Sequence, residues 1–408
     1  MAIIKPFRAL RPVSEKAEQV SCVPYDVPDE SEVREFIKTN PSSFLQVTRP
    51  ESEFAEDKNS SVEIILERAK QNLQRLIDEE ILTSEVEPCF YLYRLASSGH
   101  QQTGIVACCS LDEYDQSLIK KHERTRPDKV KDRTAHMLSL RAQTGLIFLA
   151  YRGTQEIRQL TGRAMSAEPL YDFKCFHGIR QTVWRITETD EFVQAFYGVP
   201  ALYIADGHHR AESACLARQA LRNDNPNHTG SEEYNFMVSG IFPAEDLRIL
   251  AYNRVVHDLN GLSEEEFFTK LDDNFIVKEA EAAEPLNQGE FSMYLSSKWY
   301  YLRFAANSQN EPDPLARLDV SILQHYILGS ILGIDDPSTD ERISFVGGGR
   351  GTDELERMVN DGEARLAFSL YPTSMEDLLT VSDIGDIMPP KSTWFEPKLK
   401  DGLFVHEI

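Results

Sequence analysis

The chain has 408 residues, of which 41% are hydrophobic, and a formal net charge of −23 at pH 7. This length suits two or three domain-sized units. Because the nucleic-acid backbone requires a positively charged surface, the negative charge argues against a nucleic-acid partner.

The N-terminal part is predicted to alternate extended segments with helices. Residues 30–39 favour a short helix, and residues 61–80 favour a long one because their apolar side chains recur on one helical face. That face is expected to join the core through Ile64, Ile65, Ala69, Leu73, Leu76 and Ile77. Asp26, in the turn before the first helix, either contacts a metal ion or the substrate or caps the helix near Glu30.

A β-hairpin is predicted next, from segments rich in Tyr, Leu, Val and Cys at residues 88–96 and 103–109. A basic region follows, containing Glu123, Thr125 and Arg133. Phosphoryl transfer to a hydroxyl requires a base for the proton and cations for the moving phosphate. Glu123 is therefore the candidate base and Thr125 and Arg133 are candidate phosphate ligands, with a solvated charged helix as the alternative.

The most informative segment is a polar turn between a predicted strand, residues 199–205, and a predicted helix, residues 211–221. Asp206 and Gly207 occupy this turn. The first N–H groups of a helix have no intrahelical acceptor, the helix dipole favours negative charge there, and glycine permits close approach of a ligand. The turn is therefore predicted to bind phosphate.

The side chains of the turn add to this prediction. Asp206 can hold a divalent cation, His208 and His209 can exchange protons, and Arg210 can bind an anion through two parallel hydrogen bonds. Each has a structural alternative: Asp206 as a helix cap, one histidine facing away from the site, and Arg210 along the surface.

Two strands are predicted after the central helix, at residues 234–242 and 249–256. From about residue 262 the pattern changes to that of a further α+β module, with a helix at residues 264–271, strands within residues 291–304 and a helix at residues 319–332. Arg254 interrupts an apolar strand edge and is a candidate for binding the substrate's anionic group.

Two later segments carry glycines or cations. Residues 347–351 are glycine-rich but lack the Gly-Lys-Ser/Thr ending of a Walker motif, so a turn is expected there. Lys391, Thr393 and Lys398 either close over a nucleotide or belong to a C-terminal strand edge.

Cysteine use and hydropathy indicate the compartment. The six cysteines show neither a Cys-x-x-Cys pair nor zinc-site spacing, so mostly buried, reduced thiols of a cytoplasmic protein are expected. The longest apolar stretch, residues 145–151, is far shorter than the about 20 residues that cross a bilayer, so no membrane association is expected.

The Asp-Gly-His-His-Arg turn at residues 206–210 resembles the signature of ParB/sulfiredoxin-like proteins that phosphorylate free serine. The whole chain resembles the bacterial family catalogued as domain of unknown function 1015, in blocks at residues 5–12, 23–27, 122–133, 206–210 and 388–399. This resemblance implies an ATP-dependent kinase of free L-serine. Those kinases carry a His-Glu pair before their turn, which gives Glu123 the role of base. The interval from Glu123 to Asp206 is longer here and requires an insertion.

The predicted fold is therefore α+β, with a ParB/sulfiredoxin-like catalytic core in residues 1–260 and a packed α+β part in residues 261–408. The predicted reaction transfers phosphate from ATP to the hydroxyl of L-serine, with Mg²⁺ held by Asp206. Glu123, Asp206 and His209 are the predicted catalytic residues. The predicted phosphate or nucleotide ligands are Gly207, His208, Arg210, Thr125, Arg133, Lys391 and Thr393, and the predicted substrate ligands are Asp26 and Arg254.

Other functions remain open at this stage. A homodimer is one expected assembly. The alternative functions are a slowly hydrolysing nucleotide switch, as in ParB relatives that bind CTP, a metal-dependent phosphohydrolase using His208 and His209, and a non-enzymatic scaffold.

Overall fold

The structure is a computed structural model, and it describes residues 1–54, 61–97, 99–175, 178–281, 283–305 and 312–408. The strands are β1 (Ile4–Lys5), β2 (Leu10–Pro12), β3 (Leu82–Ser84), β4 (Phe90–Ser97), β5 (His100–Ser110), β6 (Ile119–Lys120), β7 (Ala142–Gln143), β8 (Ile147–Tyr151), β9 (Tyr171–Lys174), β10 (Arg180–Ile186), β11 (Leu202–Asp206), β12 (Phe236–Pro243), β13 (Ile249–Leu250), β14 (Tyr252–Val256), β15 (Phe275–Ala280), β16 (Glu290–Leu295), β17 (Lys298–Phe304), β18 (Ile343–Gly347), β19 (Leu366–Leu370), β20 (Trp394–Phe395) and β21 (His406–Glu407). The α-helices are α1 (Ala17–Val20), α2 (Glu30–Thr39), α3 (Leu45–Thr48), α4 (Val62–Asp78), α5 (Leu111–Asp115), α6 (Pro127–Leu140), α7 (Gln155–Ala164), α8 (Asp190–Tyr197), α9 (His208–Asp224), α10 (Glu264–Leu271), α11 (Asp319–Leu323), α12 (Asp353–Asn360) and α13 (Met375–Asp383).

The chain divides into two compact units. The first contains Met1–Lys121, Thr125–Leu247 and Pro397–Ile408, and the second contains His122–Arg124 and Arg248–Glu396. The predicted division of domains at residue 260 stays a prediction.

The first unit is built on a nine-stranded mixed sheet. Its strand order is β6-β11-β8-β12-β5-β4-β10-β9, and β1 also pairs with β5. The antiparallel pairing of β4 with β5 confirms the predicted hairpin. All five residues of β8 are buried, which explains why this strand is apolar throughout rather than alternating. β11 pairs with β8 on one side, and its last residue, Asp206, lies opposite Phe148.

The predicted helices near the N-terminus are present, with two corrections. The N-cap of α2 is Asp29, whose carboxylate accepts a hydrogen bond from the Glu32 N–H at 2.9 Å within a capping box. Asp26 is therefore not the cap. The buried residues of α4 begin at Ala69, and Ile64 is 52% exposed, so the predicted core face is wrong over the first turns of this helix.

The second unit is built on a six-stranded sheet with the order β15-β17-β16-β19-β14-β18, and the pairings along it are antiparallel. The predicted strand at residues 249–256 is divided into β13 and β14, and β13 pairs with β20 instead of joining this sheet. The predicted long helix at residues 319–332 is also shorter: α11 continues as a π-helical turn over Gln324–Gly329.

The prediction of an α+β fold is confirmed by these two mixed assemblies of sheet and helix, whereas the ParB/sulfiredoxin-like core stays a prediction. Five cysteines are buried and Cys175 is half-buried, and all six are free thiols, as expected. Within the described ranges, no helix is both long enough and apolar enough to cross a membrane.

Candidate functional site: a polar strand-to-helix turn

The polar turn lies in the first unit, where β11 ends and α9 begins. Gly207 is the N-cap of α9, with a φ of 95°, a conformation that favours glycine. The helix starts at His208, three residues earlier than predicted, and the Ala211 N–H donates to the Gly207 carbonyl at 3.0 Å. His208, His209 and Arg210 therefore form the first helical turn, whose N–H groups precede the first intrahelical hydrogen bond.

Asp206 is paired with a lysine rather than serving as a helix cap. Its Oδ2 atom accepts a hydrogen bond from Lys398 Nζ at 2.7 Å, and both side chains are partly buried. The C-terminal segment that returns to the first unit brings Lys398 to this position. The ion pair thus puts a carboxylate and an ammonium group together directly before a helix N-terminus.

The adjacent histidines differ in their environments. His208 is buried at 5% exposure, whereas His209 is half-buried. The Arg126 backbone N–H donates to His209 Nε2 at 3.0 Å, which requires that nitrogen to be unprotonated and gives His209 a fixed orientation. The catalytic role of His209 and the phosphate-binding role of His208 stay predictions.

Arg210 points into the unit rather than along its surface. Its side chain is 9% exposed, and Nη1 lies 3.6 Å from Oδ1 of Asp401, whose side chain is 2% exposed. Burial lowers the pKa of Arg210, but the carboxylates of Asp401, Asp206 and Asp26 outweigh it, so its pKa is raised overall. Arg210 is therefore a firmly charged, buried cation surrounded by acids.

Asp401 is the residue of this site that the sequence interpretation missed. Burial raises the pKa of its carboxyl to about 7, while the Arg210 charge acts in the opposite direction. Its Oδ1 atom has no hydrogen-bond partner among the described residues. A Cβ atom on Gly145 would lie 2.5 Å from this oxygen, so glycine is needed there. The sequence signal was an acid directly before Gly402, which is equally typical of a surface turn.

Tyr25, Asp26 and Arg133 lie near the ion pair of Arg210 and Asp401. The Arg133 guanidinium lies 4.4 Å from the centre of the Tyr25 ring, and its Nη1 donates to the Thr48 carbonyl at 3.3 Å. Asp26 is close enough that its charge raises the pKa of Asp401. The first unit therefore brings Asp26, Arg133 and Arg210 together around one acid, Asp401.

The remaining predicted site residues are divided between the units. Thr125 belongs to the first, whereas Glu123, Arg254, Lys391 and Thr393 belong to the second. Within the second unit, His122 Nε2 lies 3.3 Å from Thr393 Oγ1, which links the predicted His-Glu pair to the predicted nucleotide segment.

The magnesium ion implied by the resemblance can be tested against the donor atoms in the first unit. Asp206 supplies the hard carboxylate oxygens that Mg²⁺ prefers, and Lys398 already engages one of them. Mg²⁺ is commonly bound through one or two carboxylates together with substrate phosphates rather than in a protein cage. Asp206 therefore fits a magnesium ion that arrives with a nucleotide.

Four of the five sequence blocks, those at residues 5–12, 23–27, 122–133 and 206–210, lie within the match to a known protein family, and the block at residues 388–399 lies outside it. The family model described as "Protein of unknown function (DUF1015)" matches residues 4–321. The chain belongs to this family. No curated protein matches this DUF1015 protein.

Several solved structures are similar to this DUF1015 protein at low identity. A conserved hypothetical protein from Pyrococcus furiosus is 15% identical over 73% of this chain and 94% of that one, with a TM-score of 0.38. A free serine kinase in complex with AMP is 15% identical over 73% of this chain and 91% of that one, with the same TM-score. SbnI with a C-terminal truncation, from Staphylococcus aureus, is 11% identical over 72% of this chain and 85% of that one, also at 0.38. Values at this level do not assign an activity.

Proposed function

We propose that this DUF1015 protein is a kinase that transfers the terminal phosphate of ATP to the hydroxyl of free L-serine and produces O-phospho-L-serine. The observation that carries the proposal is the Asp206–Lys398 ion pair placed directly before the N-terminus of α9, with Arg210 in the first turn of that helix. The resemblance of residues 206–210 to the signature of free serine kinases supplies the choice of reaction.

The turn offers what phosphoryl transfer requires. The reaction needs positioning and neutralisation of phosphate charge more than covalent help from the protein. The N–H groups of the first turn of α9 and the helix dipole favour an anion there. Lys398 adds a cation at the same position. When bound, Mg²⁺ would neutralise charge on the nucleotide phosphates, with Asp206 as its protein ligand.

The buried cluster beside the turn suits a free amino acid. An amino acid at neutral pH carries a carboxylate and an ammonium group, and it needs a partner of opposite charge for each. Arg210 and Arg133 are cations, and Asp26 and Asp401 are acids whose charges act on one another. A site with both signs of charge favours a zwitterion over a simple phosphate ester.

The proposed reaction is a direct displacement at the γ-phosphorus of ATP. The bond between the γ-phosphorus of ATP and its bridging oxygen breaks, a bond forms between that phosphorus and the serine Oγ, and ADP leaves. Glu123 stays the predicted acceptor of the hydroxyl proton, because of the resemblance of its His-Glu pair to that of the serine kinases. His209 stays a predicted catalytic residue.

The proposal is tested by measuring formation of phosphorylated amino acid from ATP with L-serine, D-serine and L-threonine as separate acceptors. We expect L-serine to be the preferred acceptor. Asp206→Asn and Lys398→Met should each lower kcat/KM by at least about 100-fold, since each removes a charged contact worth about 3 kcal/mol. Arg163→Met is the matched control, because Arg163 is an exposed cation of the same unit paired with Glu191. Equal activity in all three variants would contradict the assigned site, and ATP hydrolysis that is independent of any acceptor would contradict the kinase.

A further inference from the structure

The second unit contains a buried cation without a protein counter-charge. Arg254, on β14, is 3% exposed. Its guanidinium donates hydrogen bonds to two backbone carbonyls, those of Tyr252 and of Pro390, the latter at 3.4 Å. Across the described ranges, no carboxylate forms an ion pair with it. Burial accordingly lowers the pKa of Arg254 to about 10, opposed only by Tyr252.

A buried charge without a partner is costly, so a stable fold needs some compensation for it. Two neutral carbonyls supply partial compensation only. In a low-dielectric environment the electrostatic interaction of Arg254 with an anion is also screened less than in water, so its charge favours an anion at the nearby protein surface.

That surface carries a second cation and several aromatic rings. Lys391 directly follows Pro390, is exposed, and has its Nζ atom 5.7 Å from the centre of the Tyr252 ring. The Tyr252 ring in turn lies 5.3 Å from Trp394 and is nearly perpendicular to it. Phe345 lies against Arg254, with 5.2 Å between the guanidinium carbon and the ring centre. All three rings are partly exposed.

A glycine makes this arrangement possible. A Cβ atom on Gly347 would lie 2.5 Å from the Trp394 ring, so only glycine at the end of β18 lets Trp394 pack there. Two contacts fix the segment that carries Lys391 and Trp394: the hydrogen bond from Arg254 to the Pro390 carbonyl and the pairing of β20 with β13.

We propose that the second unit carries an anion site, formed by Lys391 above the buried charge of Arg254 and bordered by Tyr252 and Trp394, which binds the phosphate groups of a small phosphorylated molecule. The aromatic border provides a flat apolar surface beside the phosphates, as a nucleoside diphosphate or triphosphate requires. The identification of the ligand as a nucleotide rests on the proposed function, whereas the anion site does not.

The competing explanation is structural: Arg254 could serve only to hold the Pro390 carbonyl. Two substitutions separate these roles. Arg254→Lys retains the charge but loses the planar fork, and Arg254→Gln retains a hydrogen-bond donor but loses the charge. Lys391→Met removes the exposed cation, and Lys298→Met, at an exposed lysine of the same unit paired with Glu279, is its control.

The test is isothermal titration calorimetry of the full chain with pyrophosphate, ADP and L-serine, together with the melting temperature of each variant. We expect pyrophosphate and ADP to bind the unaltered protein. Lys391→Met and Arg254→Gln should each weaken binding of both by about tenfold or more, because a charged contact is lost. The Kd of Arg254→Lys for each ligand should stay within about threefold of that of the unaltered protein, and the Kd of Lys298→Met should be unchanged.

Three results would overturn the site: no binding of pyrophosphate or ADP, binding that Lys391→Met leaves unaltered, or equal losses in Arg254→Lys and Arg254→Gln accompanied by lower melting temperatures. Binding of L-serine that Lys391→Met or Arg254→Gln weakens would show that the site takes a carboxylate, and this result would also overturn it. Phosphate binding that persists without serine phosphorylation would refute the proposed kinase alone. Serine phosphorylation that survives both charge-removing variants would refute this site alone.

Discussion

The buried carboxyl of Asp401 makes the stability of the first unit depend on pH in a defined direction. Its pKa is raised from 3.8 to about 7, chiefly by burial. The folded protein therefore holds this proton more tightly than the unfolded chain does. The resulting contribution to stability is complete below about pH 4 and is lost as the pH rises through about 7. The titration removes about 2–3 kcal/mol of unfolding free energy between pH 5 and pH 8.

The perturbation is Asp401→Asn, which cannot ionise. The substitution removes the carboxylate of Asp401 from Arg210 and leaves Arg210 facing Asp206 and Asp26. The unfolding free energy lost with that contact does not vary with pH on the side of Arg210, because Arg210 stays charged. Other titrating groups, such as His136 with its pKa lowered to about 4 by burial, are common to both proteins. We therefore expect the unfolding free energy of the Asn variant to rise by about 2–3 kcal/mol relative to that of the parent protein between pH 5 and pH 8.

The assay is urea unfolding at pH 5, 6, 7 and 8, followed by tryptophan fluorescence. Trp184 belongs to the first unit and is 5% exposed, whereas Trp299 and Trp394 belong to the second. A background with Trp299→Phe and Trp394→Phe in both proteins makes Trp184 the reporter of the first unit. A stability difference that stays constant within about 0.5 kcal/mol would refute the raised pKa, since the linkage would be absent. The same constant difference is the result expected if the Arg210 charge keeps the Asp401 pKa at or below its unfolded value, because the carboxyl is then ionised in both states throughout this pH range.

Three other changes test the site more simply. Gly145→Ala should destabilise the protein by about 1–3 kcal/mol in chemical denaturation, because the added Cβ would overlap the side chain of Asp401. Gly162→Ala is the control: Gly162 lies in α7 with open space around it, so this variant should be neutral or more stable by up to about 1 kcal/mol. Lys398→Met should raise the KM for ATP as well as lower kcat, and an unaltered KM would separate Lys398 from phosphate binding. Glu123→Gln should lower kcat by at least about 100-fold at unchanged melting temperature, since a general base contributes about 10²–10⁴-fold, and retained activity would reject Glu123 as the base.

Local patterns predicted most of the elements, because their signals lie within a few residues. The helix at residues 264–271 is bounded as predicted, since Ser263 and Glu266 form a capping box. The hairpin of β4 and β5 followed from two apolar segments separated by a polar one. The end of the helix at residues 319–332 was missed because apolar residues, among them the buried Ile327 and Leu328, continue through the π-helical turn over Gln324–Gly329.

The partners of the candidate site could not be predicted in this way. Lys398 pairs with a residue 192 positions earlier, and Asp401 with one 191 positions earlier, so no local pattern connects them. Asp206 and Arg210 were identifiable from their turn, but the burial of Arg210 depends on the C-terminal segment that returns to the first unit. The same holds for Arg254, whose position at a strand edge gave no sign that Pro390 covers it.

The most direct test of the central proposal is phosphorus NMR of the purified protein with ATP and Mg²⁺, recorded with and without L-serine. The proposed function predicts a phosphomonoester signal that appears only with serine, grows as the γ-phosphate signal of ATP declines, and is absent with Asp206→Asn. Unchanged ATP in the presence of serine, or release of inorganic phosphate whether or not serine is present, would contradict it.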